Sequence, residues 1–276
     1  MTSASQRRRA AARARLEREM AQRIAAARKR RQIQAAVGTG VALLLVIVAT
    51  VWLIVRLGDD EETTATAQAT SQPGVCEWKE IPAGERTSTT VDVGLPPTTT
   101  PPTSGTQVMT IETNFGEITV SIDLSKAPCS AAAFSYLASK NFWDGTKCHR
   151  MFPGMLQCGD PSAKGEGYRS SDGTGGPSFQ YADENLPVGK SPAYPTGTVA
   201  LANSGPNTNG SQFFFIYEDV DLSPNYTVLG TVTSGLDVIK KATAKGHDGA
   251  FDPSPGGGHP KQDIEIRKLT ISDPQP

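Results

Sequence analysis

Apolar and polar positions change rhythm three times along this chain, and each of the four stretches predicts a different element. From Val37 to Val55 there are 19 residues without a charge, centred on Val41-Ala42-Leu43-Leu44-Leu45-Val46-Ile47-Val48. At 1.5 Å per residue that run spans roughly 28 Å, close to the ~30 Å hydrocarbon core of a bilayer. It has no polar face, which a buried helix of a water-soluble core would keep, and it ends in Trp52-Leu53-Ile54-Val55-Arg56 rather than in a small-residue cleavage site. A single transmembrane helix over 36–57 is therefore expected. Ahead of it, 1–35 is Ala/Arg-rich, with Leu16, Met20 and Ile24 at every fourth position, the narrow apolar stripe of a helical tail.

After the span the pattern is lost. Thr63 to Pro73 is a tract of small polar residues, and Leu95 to Gly105 is rich in Pro and Thr. Both read as parts of a disordered linker over 58–105 that buries too little apolar area to offset its ordering entropy. Between them, Val75-Cys76-Glu77-Trp78 and Ile81-Pro82 mark a short piece able to dock on the main domain.

From 106 to 276 the rhythm becomes that of a packed domain. Met109-Thr110-Ile111-Glu112-Thr113 and Ile118-Thr119-Val120-Ser121-Ile122 alternate around Asn114-Phe115-Gly116, the pattern of a hairpin. Pro128 to Lys140 predicts a helix with proline near its start, a cap at Ser130 or just before it, and Ala133, Phe134, Leu137 and Ala138 on one face. Further strands are expected at Cys148–Met151, Leu156–Cys158, Val199–Ala202, Phe213–Tyr217 and Val228–Val232, and a second helix over Gly235–Ala244. Glycine-rich loops fill 164–176 and 246–258. Many short strands with two helices predict a mainly β domain, a closed barrel with helical lids.

Charge assigns sides to the membrane span. The chain holds 27 basic and 28 acidic residues, but residues 1–36 carry 11 basic and 2 acidic side chains, whereas Asp59-Asp60-Glu61-Glu62 follows the span. Positive charge stays in the cytoplasm, so the N-terminus is expected inside and 58–276 outside the cell membrane. The basic tail reads first as a topology-setting segment lying on anionic headgroups, with nucleic-acid or protein binding as the competing reading; no nucleic-acid partner is expected. Cys76, Cys129, Cys148 and Cys158 would all meet an oxidising medium. Cys148–Cys158 together with Cys76–Cys129 is one pairing, Cys129–Cys148 fits about as well, and free buried thiols are the third possibility. His149, His247 and His259 lack ligand spacing with these cysteines, so no metal is predicted.

Three segments then point to chemistry: Phe142-Trp143-Asp144-Gly145-Thr146-Lys147-Cys148-His149-Arg150, Leu156-Gln157-Cys158-Gly159-Asp160-Pro161, and above all Ala202-Asn203-Ser204-Gly205-Pro206-Asn207-Thr208-Asn209-Gly210-Ser211-Gln212-Phe213-Phe214. In their order and spacing, residues 107–272 resemble the cyclophilin family of peptidyl-prolyl isomerases. The resemblance implies an eight-stranded antiparallel barrel with a helix at each end and a surface groove for proline-containing peptides. It implies no cofactor.

Rotation about an Xaa-Pro bond meets a barrier of about 18–20 kcal/mol because the amide is conjugated. A catalyst needs only to hold the twisted amide better than either planar form, and the prolyl nitrogen then regains a lone pair that accepts a hydrogen bond. A guanidinium, always charged and rich in donors, suits that task. Arg150 matches the arginine of the family's Phe-His-Arg signature, with Cys148 where Phe is usual, and is expected to be catalytic. His149, on the opposite face by alternation, is read as structural. The same alternation puts Gln212 and Phe214 on one face and Phe213 and Phe215 in the core. The resemblance assigns Phe214 to the floor of the proline pocket, Gln212 to the substrate backbone, and Ala202 and Asn203 to the peptide before the proline.

Met155, Leu156, Gln157, Leu222 and Tyr226 complete the expected binding set. Two departures stand out. The stretch Met151-Phe152-Pro153-Gly154-Met155-Leu156-Gln157 is one residue shorter than the family's, leaving Met155 where a pocket Phe is usual or that Phe deleted. Asp221 stands about where the family often supplies Trp, so weak cyclosporin binding at most is expected. The function read from the sequence is a membrane-anchored prolyl isomerase that assists the folding of exported proteins. The rivals are a cyclophilin-fold module that holds proline-containing segments with little turnover, and a protein whose basic tail is the functional element.

Overall fold

Short alternating strands, covered by two helices that each bury one face, give the outer domain its form. The computed structural model describes residues 74–254 and 256–276. The expected tail and membrane span (1–57), and the linker up to residue 73, lie outside the described residues; among the described residues no helix is long and apolar enough to cross a membrane. In chain order the first strands are β1 (Lys79–Glu80), β2 (Thr90–Val91), β3 (Thr106–Thr113), β4 (Gly116–Asp123), β5 (Thr146–Lys147), β6 (Arg150–Phe152) and β7 (Met155–Cys158). Then come β8 (Gly176–Pro177), β9 (Phe179–Gln180), β10 (Thr198–Leu201), β11 (Phe213–Ile216), β12 (Val228–Ser234) and β13 (Glu265–Ile271). The helices are α1 (Pro128–Ser139) and α2 (Leu236–Thr243).

The main sheet runs β5-β13-β3-β4-β12-β10-β11-β7-β6. Its two outer members are neighbouring pieces of one run, broken where two amides turn to opposite edges. The Cys148 N–H donates to the Ile264 carbonyl at 2.9 Å and the His149 N–H to the Gln157 carbonyl at 3.1 Å. Counting that run once gives the eight strands expected, in a mainly β half-barrel with two helices. Inside lie Met109, Ile111, Val120, Phe134, Leu137, Trp143, Phe213 and Phe215. A smaller apolar cluster (Met155, Tyr194, Ala200, Phe214 and Ile216) occupies the other face of the sheet.

Three expectations need correction. Ser130 does not cap α1: it is buried inside the first turn, and the N-cap position is Ala127. The N–H groups of Cys129 and Ser130 are satisfied instead by the Glu184 carboxylate, at 3.3 and 2.6 Å. An acid over fifty residues downstream is invisible to a local reading of caps. The second correction is β13, which pairs with β3 and β5 and was not expected. Its buried apolar positions, Ile266 and Leu269, fall out of period-2 step because the register shifts between Ile266 and Lys268.

The third concerns the linker: the short piece around Cys76 and Trp78 docks as expected, and the Pro/Thr tract expected to be disordered is packed as well. Trp78 sets its ring edge-on to Phe179 and Tyr181, with centroids 5.8 and 5.6 Å apart, and donates to the Thr98 carbonyl at 2.8 Å. The Cys76 N–H donates to the Thr99 carbonyl at 2.7 Å, β1 pairs with β9, and β2 pairs with β8. Pro96 and Pro101, expected to be solvated, are buried. Proline rings fix φ in advance, so this tract loses little entropy on ordering. A disulfide between Cys76 and Cys129 ties this strap to the first turn of α1, and Cys148–Cys158 joins the break between β5 and β6 to β7.

Candidate functional site

Directly opposed residues on neighbouring strands share a face of the sheet. One such row crosses five strands: Arg150 opposes Gln157, Gln157 opposes Phe214, Phe214 opposes Ala200, and Ala200 opposes Val228. Two residues along, Phe152, Met155 and Ile216 form a parallel row on the same face. The rank between them, Met151, Leu156, Phe215 and Val199, points into the core. Leu156, expected in the binding set, therefore leaves it: it is buried in the interior, on the opposite face from Met155 and Gln157.

The shortened stretch after Arg150 becomes a tight turn through Pro153 and Gly154. It closes so that Phe152 and Met155 stand directly opposite. Gly154 has φ +87°, and a Cβ there would collide with the Val220 side chain.

Phe214 meets Tyr226 edge-on at 5.3 Å between centroids and Tyr194 at 6.2 Å. Leu222, Ala202 and Val220 pack against the same cluster. Phe214 keeps only 2% of its surface exposed, Tyr226 being among its covers. Tyr194, not singled out from the sequence, fixes that cover: its hydroxyl donates to the Tyr226 carbonyl at 3.0 Å and accepts the Tyr226 N–H at 2.9 Å. It lies in a proline-rich stretch without periodicity, so nothing local marks it.

Arg150 stands half-buried at the end of the row. Its Nη2 donates to the Gly256 carbonyl at 3.3 Å, and its guanidinium lies over the rings of Phe152 and Phe251, at 5.8 and 6.0 Å. Burial holds its pKa below the ordinary arginine value, with Tyr226 acting the other way. The group stays a cation, and its partial desolvation strengthens any hydrogen bond it donates. His149, next in sequence, is buried on the other side. Burial drives its pKa down to about 4 despite Asp160 and Asp172, and Arg150 and His259 add to the depression.

A chain of amides links the row to the loops around it. Gln157 Nε2 donates to Gln212 Oε1 at 2.9 Å, and Gln212 Nε2 donates to the carbonyls of Gly173 and Gly175 at 2.9 and 2.8 Å. Gln212 thus spends both amide hydrogens inside the protein, so Gln157 has the freer amide oxygen. Asp160 organises the same loop, accepting from the N–H groups of Gly173 and Gly175 at 2.5 and 3.1 Å and from Ser162 Oγ at 2.7 Å. Its only sequence signal was its place in Cys158-Gly159-Asp160-Pro161. Asn203 donates to the Asn225 carbonyl at 2.9 Å, fixing the turn after β10 against the loop that carries Leu222 and Tyr226. Nine of the ten expected site residues thus lie on or beside one face of the sheet.

The family model for the cyclophilin type peptidyl-prolyl cis-trans isomerase/CLD matches residues 108–271. The probable peptidyl-prolyl cis-trans isomerase B of Mycobacterium leprae is 40% identical over 173 residues, 58% of this chain and 55% of that protein. Its counterpart in Mycobacterium tuberculosis is 38% identical over 194 residues, 65% and 59% of the two chains. The matched region thus spans somewhat over half the length of these relatives. A crystal structure of a Cryptosporidium parvum cyclophilin type isomerase aligns with TM-score 0.51 and 26% identity, over 62% of this chain and 99% of that one. A second structure of that protein, determined in the presence of the dipeptide Ala-Pro, aligns with TM-score 0.50.

Proposed function

Because the chain belongs to the cyclophilin-type peptidyl-prolyl cis-trans isomerase family, we propose that it catalyses cis-trans isomerisation of Xaa-Pro bonds. The observation that carries this reading is the shared row of Arg150, Gln157 and Phe214. Two strand spacings, roughly 10 Å, separate the backbones of Arg150 and Phe214, a gap that an arginine side chain and a proline ring span together. The pyrrolidine ring rests against Phe214, Met155 and Leu222. The Gln157 amide and the Ala202–Asn203 turn hold the peptide backbone. As the amide twists, the prolyl nitrogen pyramidalises and accepts a hydrogen bond from Arg150, which no planar form of the bond accepts. Removing roughly 7 kcal/mol from the barrier corresponds to about 10⁵-fold acceleration.

The clients are proline-containing segments of unfolded, exported proteins. The domain lies outside the cell membrane, held by the helix over 36–57 with the N-terminus in the cytoplasm. Support comes from the charge asymmetry around the apolar run and from the pairing of all four cysteines, as in an oxidising compartment. The near-complete cover of Phe214 favours one alternative, a module that holds proline segments with little turnover. A protease-coupled assay of the full chain on an Xaa-Pro tetrapeptide separates the two. Acceleration over the spontaneous rate supports the isomerase, and binding without acceleration supports the module.

A further inference from the structure

The strap from Cys76 to Val93 does more than cover the domain. Between it and the sheet runs a groove of about 510 Å³, walled on one side by Lys79, Pro82, Glu85 and Thr87 and on the other by Asn203, Thr208 and Gln212. Residues 173–177 line it between the two walls. It is continuous with the proline site: Ala202 packs in the Phe214 cluster and also lines the groove, and Gln212 belongs to both. A peptide seated on Phe214 and leaving past Ala202 and Gln212 enters this channel. Its volume lies in the range of ligand-binding clefts.

We propose that residues Lys79–Thr87 are a specificity-determining wall of the peptide site. They select proline segments that are extended for several residues beyond the Xaa-Pro pair over short turns. The inference rests on the isomerase reading for the position of the proline. The wall is held in place before any peptide arrives. Arg86 donates to the Ile81 carbonyl, Asp92 and Glu80 at 2.8, 2.6 and 2.8 Å, and Asp92 also accepts from Ser178 at 3.0 Å. The Ile81 N–H donates to the Ser178 carbonyl at 2.8 Å, and Cys76–Cys129 anchors the entry to the strap. A preorganised wall costs a bound chain little ordering entropy. Its exposed Lys79 and Glu85 favour polar, solvated sequence rather than an apolar segment.

The test is calorimetric binding, on the full chain, of two peptides sharing one Xaa-Pro core. One is a tetrapeptide; the other is extended on both sides by several polar residues. The wild type is expected to bind the longer peptide about tenfold more tightly, the worth of one or two groove contacts. Lys79→Ala combined with Glu85→Ala, both at exposed positions, and Cys76→Ser combined with Cys129→Ser, which unties the strap, should each erase that preference. Tetrapeptide binding should stay within about twofold. Equal affinity for the two peptides in the wild type, or a preference that survives the Lys79/Glu85 substitutions, overturns the proposal. Turnover, measured in parallel, reports separately on the isomerase reading: a preference without turnover keeps the wall and removes the catalysis.

Discussion

Acid should loosen this domain through His149. The imidazole is buried, and neither ring nitrogen has a hydrogen-bond partner. Its pKa lies at about 4 in the folded protein against an ordinary 6.5, a gap of two and a half pH units. At 1.36 kcal/mol per unit that gap is roughly 3 kcal/mol. The sign follows from proton counts. Below pH 6.5 the unfolded chain binds a proton that the native ring refuses, so stability falls as pH drops from 6.5 to 4 and is flat above that window. Other groups titrate in the acid range as well. Glu184, whose pKa burial raises, takes up its proton in the native state first and so opposes the trend, whereas Asp123, held at about 2, loses stability only below its ordinary 3.8. Comparing the wild type with His149→Phe at each pH cancels both. Urea unfolding between about pH 4 and pH 7 should show the wild type losing roughly 3 kcal/mol relative to the variant across the window. A difference that stays constant with pH would mean that the ring is not held neutral by burial, and the reasoning would fail.

Other consequences can be checked directly. Opening Cys76–Cys129 by Cys76→Ser releases a loop of 53 residues' separation, and the chain-entropy model puts the cost at about 4 kcal/mol, read as a lower denaturant midpoint. The same substitution under reducing conditions should cost almost nothing further. Tyr226→Ala uncovers Phe214 and should lower KM for an Xaa-Pro peptide severalfold; a raised KM would instead make Tyr226 a contact for the substrate. Cyclosporin should bind weakly, because exposed Asp221 stands where the family often places an indole; titration with sub-micromolar affinity would contradict that.

The face of each strand was legible wherever period-2 alternation was intact. Phe213 and Phe215 point inward and Gln212 and Phe214 outward, as the sequence pattern requires. Leu156 was misplaced because its position in a matching motif outweighed the alternation that Met155 and Gln157 already implied. β13 stayed hidden because a register shift at Ile266–Lys268 breaks its period, and such shifts leave no local mark. The docking of the piece around Trp78 was legible in its apolar residues, but the packing of the Pro/Thr tract that follows it was missed for a different reason. A tract of Thr and Pro looks unable to support a core, yet here it needs none of its own: Trp78, Pro96 and Pro101 use the apolar surface of the barrel and α1. Contacts made by residues far apart in the chain, such as Glu184 on the first turn of α1, belong to the fold and not to any window of sequence.

Stabilising a twisted prolyl amide over Phe214 is the role assigned to Arg150. That role is tested most directly by measuring cis-trans exchange of an Xaa-Pro peptide by NMR with the wild-type chain and with Arg150→Ala. The expected result is rapid exchange with the wild type and a fall in catalysed rate of about 10²–10³-fold in the variant, the loss of a charge-assisted hydrogen bond made only in the transition state. Peptide affinity should change much less. An Arg150→Ala protein that catalyses exchange within about threefold of the wild type would contradict the account.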